Sequence, residues 1–100
     1  MPEVISALHK TFVLSTIRKH FPDARVIAFG SRVRGDSKKY SDLDLAISFP
    51  NENNALLSKI AFLEEEFEQS DLPFKVDLVL YDSLSSDFQK IIDRTGVVWI

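Results

Sequence analysis

One hundred residues hold one domain and hardly more. At 45% hydrophobic and 27% charged, with eight Phe and one Trp, the composition is that of a soluble globular domain and excludes a disordered chain. The absence of cysteine excludes disulfides, thiolate zinc sites, iron–sulfur clusters and a cysteine nucleophile. No stretch approaches the roughly 20 apolar residues that span a bilayer, and the N-terminus lacks a signal-peptide pattern, so the expected compartment is the cytoplasm, with no membrane partner.

The predicted elements alternate between helix and strand. Glu3 to about His20 reads as a helix with a broad apolar face of Ile5, Leu8, Phe12, Val13 and Ile17, ended by Phe21-Pro22-Asp23. Arg25 to Phe29 is a short apolar strand closed by Gly30, and Leu43 to Ser48 is a second, stopped by Pro50. Asn53 or Asn54 is placed to cap a helix running to about Gln69, with Leu56, Ile60, Leu63 and Phe67 on one face. Phe62 lies off that stripe, as an interface residue or a second packing face, and Glu64 to Glu66 read as its solvated side. After the loop Ser70 to Pro73, Phe74 to Leu80 is a third strand. Ser86 to Arg94 is a short helix with Phe88, Ile91 and Ile92 inward and Gly96 as its stop, and Val97 to Ile100 is a terminal strand. His9 and His20 have no visible partners, Tyr40 and Tyr81 either stack on a base or pack, and Trp99 reads as core.

A long helix between strands two and three suits a parallel crossover. About thirteen turn-rich residues between strands one and two favour an antiparallel pair. The expected fold class is α/β (α+β): one domain over residues 1–100, a small mixed sheet of about four strands backed by helices.

The net charge of −3 hides an asymmetry. Residues 1–40 carry eight Lys/Arg against three Asp/Glu, and residues 41–100 carry four against twelve. Such a split is either chance over solvated faces or a basic phosphate-holding segment joined to an acidic metal-holding one. The overall acidity argues against direct binding of duplex nucleic acid, which rests on many Lys/Arg–phosphate contacts.

Three features carry the chemistry: Gly30-Ser31-Arg32-Val33-Arg34-Gly35 after strand one, Asp42-Leu43-Asp44 at the start of strand two, and Asp77 near the start of strand three. Strand alternation points Asp42 and Asp44 the same way and Leu43 into the core. With strand three parallel to strand two and strand one antiparallel to it, the glycine turn and three carboxylates reach one end of the sheet. Converging carboxylates repel unless a cation sits among them, and hard oxygen ligands suit Mg²⁺ or Mn²⁺. A glycine lets the backbone approach a phosphate, and Arg32, Arg34, Lys38 and Lys39 are available to counter its charge. Asp36-Ser37 follows Gly35 where a Walker A loop needs Lys, which argues against that motif. Taken singly, each piece is as well explained by a strand-edge acid or a plain turn.

Gly30-Ser31, Arg34-Gly35, Ser41-Asp42-Leu43-Asp44-Leu45 and Val76-Asp77-Leu78 together resemble the DNA polymerase beta-like nucleotidyltransferase superfamily, and within it the minimal nucleotidyltransferases (MNT proteins), over essentially the whole chain. Val33 stands where many members carry Ala, a small apolar change, and no carboxylate is missing. The resemblance implies a nucleotidyltransferase fold and transfer of a nucleoside monophosphate from a triphosphate, AMP from ATP, to a hydroxyl with release of pyrophosphate. It assigns Asp42, Asp44 and Asp77 as catalytic residues holding two Mg²⁺ ions, with Asp77 near the attacking hydroxyl, Gly30 and Ser31 on the β- and γ-phosphates and Arg34 as a phosphate clamp. It further implies a hetero-oligomer with a helical HEPN partner, a toxin whose tyrosine is adenylylated by the chain acting as antitoxin. Two other readings stand beside it: a module that neutralises a partner by masking it, and a small-molecule nucleotidyltransferase.

Overall fold

A computed structural model of the chain describes residues 6–30, 33, 42–51 and 54–100. Helix α1 (Ala7–His20) starts at Ser6, whose hydroxyl accepts a hydrogen bond from the His9 amide at 3.1 Å. That bond satisfies one of the free N–H groups of a helix's first turn. The expected helical residues from Glu3 to Ile5 lie outside the described residues.

Strand β1 (Arg25–Phe29) pairs antiparallel with β2 (Leu43–Ser48), as the short turn-rich connection implies. Helix α2 (Leu56–Glu68) carries the chain across to β3 (Val76–Leu80), which joins β2 in parallel. A 3₁₀ turn (Tyr81–Ser83) and helix α3 (Ser86–Thr95) lead to β4 (Val97–Val98), antiparallel to β1. The sheet order is β3-β2-β1-β4, the mixed four-stranded sheet expected.

Alternation along the strands gives the sheet two unlike faces. Val26, Ala28, Leu43, Leu45, Ile47, Val76, Leu78 and Leu80 are buried on one face, against Val13 and Ile17 of α1 and Ile60, Leu63 and Phe67 of α2. Trp99 joins this core, as expected. Helix α3 lies on the other face, where the Phe88 ring meets Phe29 and the turn at Gly96 packs on Ile27. Gly96 ends α3 as expected, but through space and not through a left-handed backbone: its φ is −82°, and a Cβ there would stand 2.7 Å from the Ile92 carbonyl oxygen and 2.9 Å from that of Ala28.

Several expectations are corrected. The apolar face of α1 is narrow: Val13 and Ile17 are fully buried, whereas Leu8 is 78% and Phe12 43% exposed. On α3 only Ile92 is buried, and Phe88 and Ile91 are 39% and 47% exposed. Among the described residues, no Asn side chain caps helix α2. Its N-cap is Ala55, in the left-handed region at φ 55°, and Asn54 contributes its carbonyl to the Lys59 ammonium at 2.9 Å; Asn53 lies outside the described residues. Strand β3 begins at Val76, two residues later than expected; the Lys75 carbonyl before it accepts the Leu43 amide (2.8 Å), and Phe74 is buried in the core. Strand β4 is two residues long, and beyond it Trp99 and Ile100 continue to bond Val26. Both histidines have partners: His9 meets the Phe74 ring edge-on at 5.5 Å, and His20 bonds Glu66 at 3.2 Å and packs on Phe62 at 4.7 Å. No helix among the described residues is long and apolar enough to cross a membrane.

Burial separates the positions that hold the fold from those that do not. Leu45→Ala, at a fully buried central-strand position, should cost about 3 kcal/mol, whereas Leu8→Ala should change stability by less than about 0.5 kcal/mol. Urea unfolding of the two variants followed by circular dichroism checks the contrast.

Candidate active site

Register decides what meets at the end of the sheet. Phe29, the last residue of β1, is the Cα partner of Asp44 in β2, and Asp44 is in turn the partner of Asp77 in β3. All three point to the face opposite the main core, since their chain neighbours Ala28, Leu43, Leu45, Val76 and Leu78 are buried on the other side. Adjacent strands run roughly 4.8 Å apart, so two half-buried carboxylates stand side by side.

Gly30 is bound to this arrangement. Its φ is 86°, in the left-handed region that side chains other than glycine's rarely adopt. A Cβ there would collide with the Asp44 carboxylate, with Cγ at 3.1 Å and Asp44 Cβ at 3.3 Å. Two separate requirements, backbone conformation and space, thus select glycine here. The chain then turns at once: the Val33 amide donates to the Gly30 carbonyl at 3.2 Å, and Val33 is buried in the core. Ser31 and Arg34, named from sequence for phosphate binding, lie outside the described residues, as do Arg32 and Tyr40.

Asp42 lies at the border of the ladder. It precedes the first ladder residue, Leu43, and is exposed. Among the described residues, no group of three or more His, Cys, Asp or Glu side chains is arranged to hold a metal ion. The strand register brings Asp44 and Asp77 side by side, with Asp42 two residues before Asp44 and outside the strand. The chemistry of this pair fits a divalent cation: two hard oxygen donors of like charge, side by side and half-buried, are eased by a positive ion such as Mg²⁺.

Two contributors were not legible in the sequence. Glu64, read as solvated, reaches the free edge of β3, where its Oε2 accepts a hydrogen bond from the Leu78 amide at 3.3 Å, directly after Asp77. An edge strand needs acceptors for its outward N–H groups, but nothing in the spacing says which helix residue provides one. Phe88, read as core, is the second: its ring meets that of Phe29 edge to face, at 5.9 Å and 89°.

Tyr81 sits at the other end of the sheet. It follows Leu80, the partner of Ile47, and its hydroxyl lies 2.9 and 3.0 Å from the two oxygens of Asp93. That hydrogen bond, then partial desolvation and the charges of Asp93 and Asp82, hold its phenol above the ordinary tyrosine pKa.

The nucleotidyltransferase domain family matches residues 13–100. The chain belongs to that family. The Haemophilus influenzae MntA, named as a probable protein adenylyltransferase, is 46% identical over 86 residues, covering 86% of this chain and 74% of that protein. The protein adenylyltransferase MntA of Thermococcus cleftensis is 34% identical over 96 residues, covering 95% of this chain and 89% of its own. A solved minimal nucleotidyltransferase superposes with a TM-score of 0.70 at 29% identity, over 90% of this chain and 88% of that one. An MntA-HepT toxin-antitoxin structure superposes with a TM-score of 0.60 at 20% identity, over 93% of this chain and 70% of that one, a likeness of fold. The chain is thus a nucleotidyltransferase of the minimal kind, and its carboxylate pair and glycine turn fall within the matched residues.

Gly30→Ala in this nucleotidyltransferase should lower stability by at least about 1 kcal/mol, because it forces a side chain into a left-handed backbone and against Asp44; urea unfolding reads the loss. At the opposite end, the Tyr81–Asp93 bond needs the neutral phenol. Because the folded pKa is raised, its contribution is fully present below the unfolded tyrosine pKa and is lost as pH rises through the higher folded value. Absorbance at 295 nm should show one tyrosine ionising late, and Tyr81→Phe should remove both that late step and the matching alkaline loss of stability.

Proposed function

We propose that this chain transfers AMP from ATP to a tyrosine hydroxyl of a helical HEPN-type partner and so acts as an antitoxin. The observation that carries the reading is the Asp44–Asp77 pair at the sheet end where Gly30 packs on Asp44. The names of the MntA relatives support adenylyl transfer to protein, and the MntA-HepT neighbour supports a HEPN partner.

In this reading the acceptor oxygen bonds to the α-phosphorus as the α–β phosphoanhydride bond breaks. Pyrophosphate leaves, and the phenol proton passes to Asp77 or to water. Gly30 and Ser31 seat the β- and γ-phosphates, where a backbone free of Cβ allows close approach. Arg34 clamps phosphate charge. Asp42, Asp44 and Asp77 would be the oxygen donors for two Mg²⁺ ions. Bound cations at this position supply electrostatic stabilisation of the charge on the phosphates. The protein's share is positioning and pre-organised charge.

The test is incubation with Mg-ATP and the HEPN partner, read by intact mass. The partner should gain one AMP. Asp44→Asn and Asp77→Asn should each reduce the yield at least about 100-fold, the size of loss seen when a main electrostatic contributor is removed, and chelation of divalent cations should abolish it. Absence of any gain with a folded chain overturns the transferase reading. Full neutralisation of the partner by Asp44→Asn would assign the effect to masking instead.

A further inference from the structure

Helix α3 presents apolar side chains that the fold does not cover. Phe88 and Ile91 remain 39% and 47% exposed, although Ile92 beside them is buried. Phe88 is not loosely placed. Its amide donates to the Ser85 hydroxyl at 3.2 Å in the helix cap, and its ring is held edge to face by Phe29. Phe29 is the register partner of Asp44 and leads directly into Gly30. An exposed aromatic ring, fixed at its backbone and by a second ring, therefore stands against Phe29, the register partner of one of the two carboxylates. The other described candidate for stacking, Tyr81, is at the far end of the sheet with its hydroxyl committed to Asp93.

We propose that Phe88, steadied by Phe29, is the stacking surface for the base of the nucleoside triphosphate, and so a specificity-determining residue of this enzyme. The proposal rests on the nucleotide-transfer reading of the carboxylate site. With the triphosphate along Gly30 and Asp44, the Phe29–Phe88 wall borders the site on the β1 side, because Phe29 leads into Gly30 and is the register partner of Asp44. A pre-ordered ring loses little freedom when a flat partner is laid on it. Stacking is tolerant of base identity, because every base has a π-face. The wall therefore favours nucleotides over bare polyphosphate more than it separates ATP from GTP.

The experiment compares ATP with inorganic tripolyphosphate, which has the phosphates and no base. Binding of each, with Mg²⁺ and without acceptor, is measured by calorimetry for the wild-type chain, Phe88→Ala and Phe88→Trp. Phe88→Ala should weaken ATP about tenfold, the scale of one base–aromatic stack, and leave tripolyphosphate unchanged. Phe88→Trp should keep ATP affinity and show fluorescence quenched by ATP but not by tripolyphosphate. Equal loss of both ligands, or ATP binding indifferent to Phe88→Ala, overturns the stacking role while leaving the carboxylate site standing. Failure of the wild-type chain to bind either ligand removes the nucleotide reading itself, and the stacking role with it.

Discussion

The close approach of the Gly30 backbone to the Asp44 carboxylate is the constraint around which this molecule is arranged. It requires β1 to end beside the start of β2, which the antiparallel register delivers by partnering Phe29 with Asp44. It also requires that no side chain intervene, and the left-handed backbone at Gly30 ensures this. The parallel register of β3 then puts Asp77 on the other side of Asp44. Hydrogen bonds at the borders hold the ladder in that register: Leu43 to the Lys75 carbonyl at its start, and Leu78 to Glu64 on its free edge. A slip of one residue in either pairing would turn a carboxylate toward the core.

Much of this was legible because a strand has a period of two. Asp42-Leu43-Asp44 states its own facing, and apolar runs bounded by Gly30 and Pro50 delimit β1 and β2. The antiparallel and parallel pairings followed from the lengths of the connections. The positions of carboxylates along the chain do not, however, state how far each is drawn together. Asp42 falls one residue before the ladder, a boundary effect of the kind that pattern alone resolves poorly.

Helical patterns were less informative about burial than about existence. Leu8 and Phe12 in α1, and Phe88 and Ile91 in α3, sit at positions that an amphipathic pattern assigns to the core, yet all four are exposed. An apolar stripe states that a surface seeks cover, not whether the same chain provides it. Acidic positions misled in the reverse sense. Glu64 and Glu66 look solvated by composition, but each finds a long-range partner, the Leu78 amide and His20, because an edge N–H and an imidazole facing α2 both offer donors.

The two faces of the sheet divide structural from chemical duty, and the ladder shows how one tolerates the other. Like charges directly across a ladder are unfavourable, and Asp44 and Asp77 are such a pair. The rungs on either side are Leu43 with Val76 and Leu45 with Leu78, all buried on the opposite face against α1 and α2. Each apolar side chain so buried contributes on the order of 1.5–3 kcal/mol, enough for four of them to outweigh one repulsive rung. The carboxylate pair is thus kept in place by its immediate neighbours.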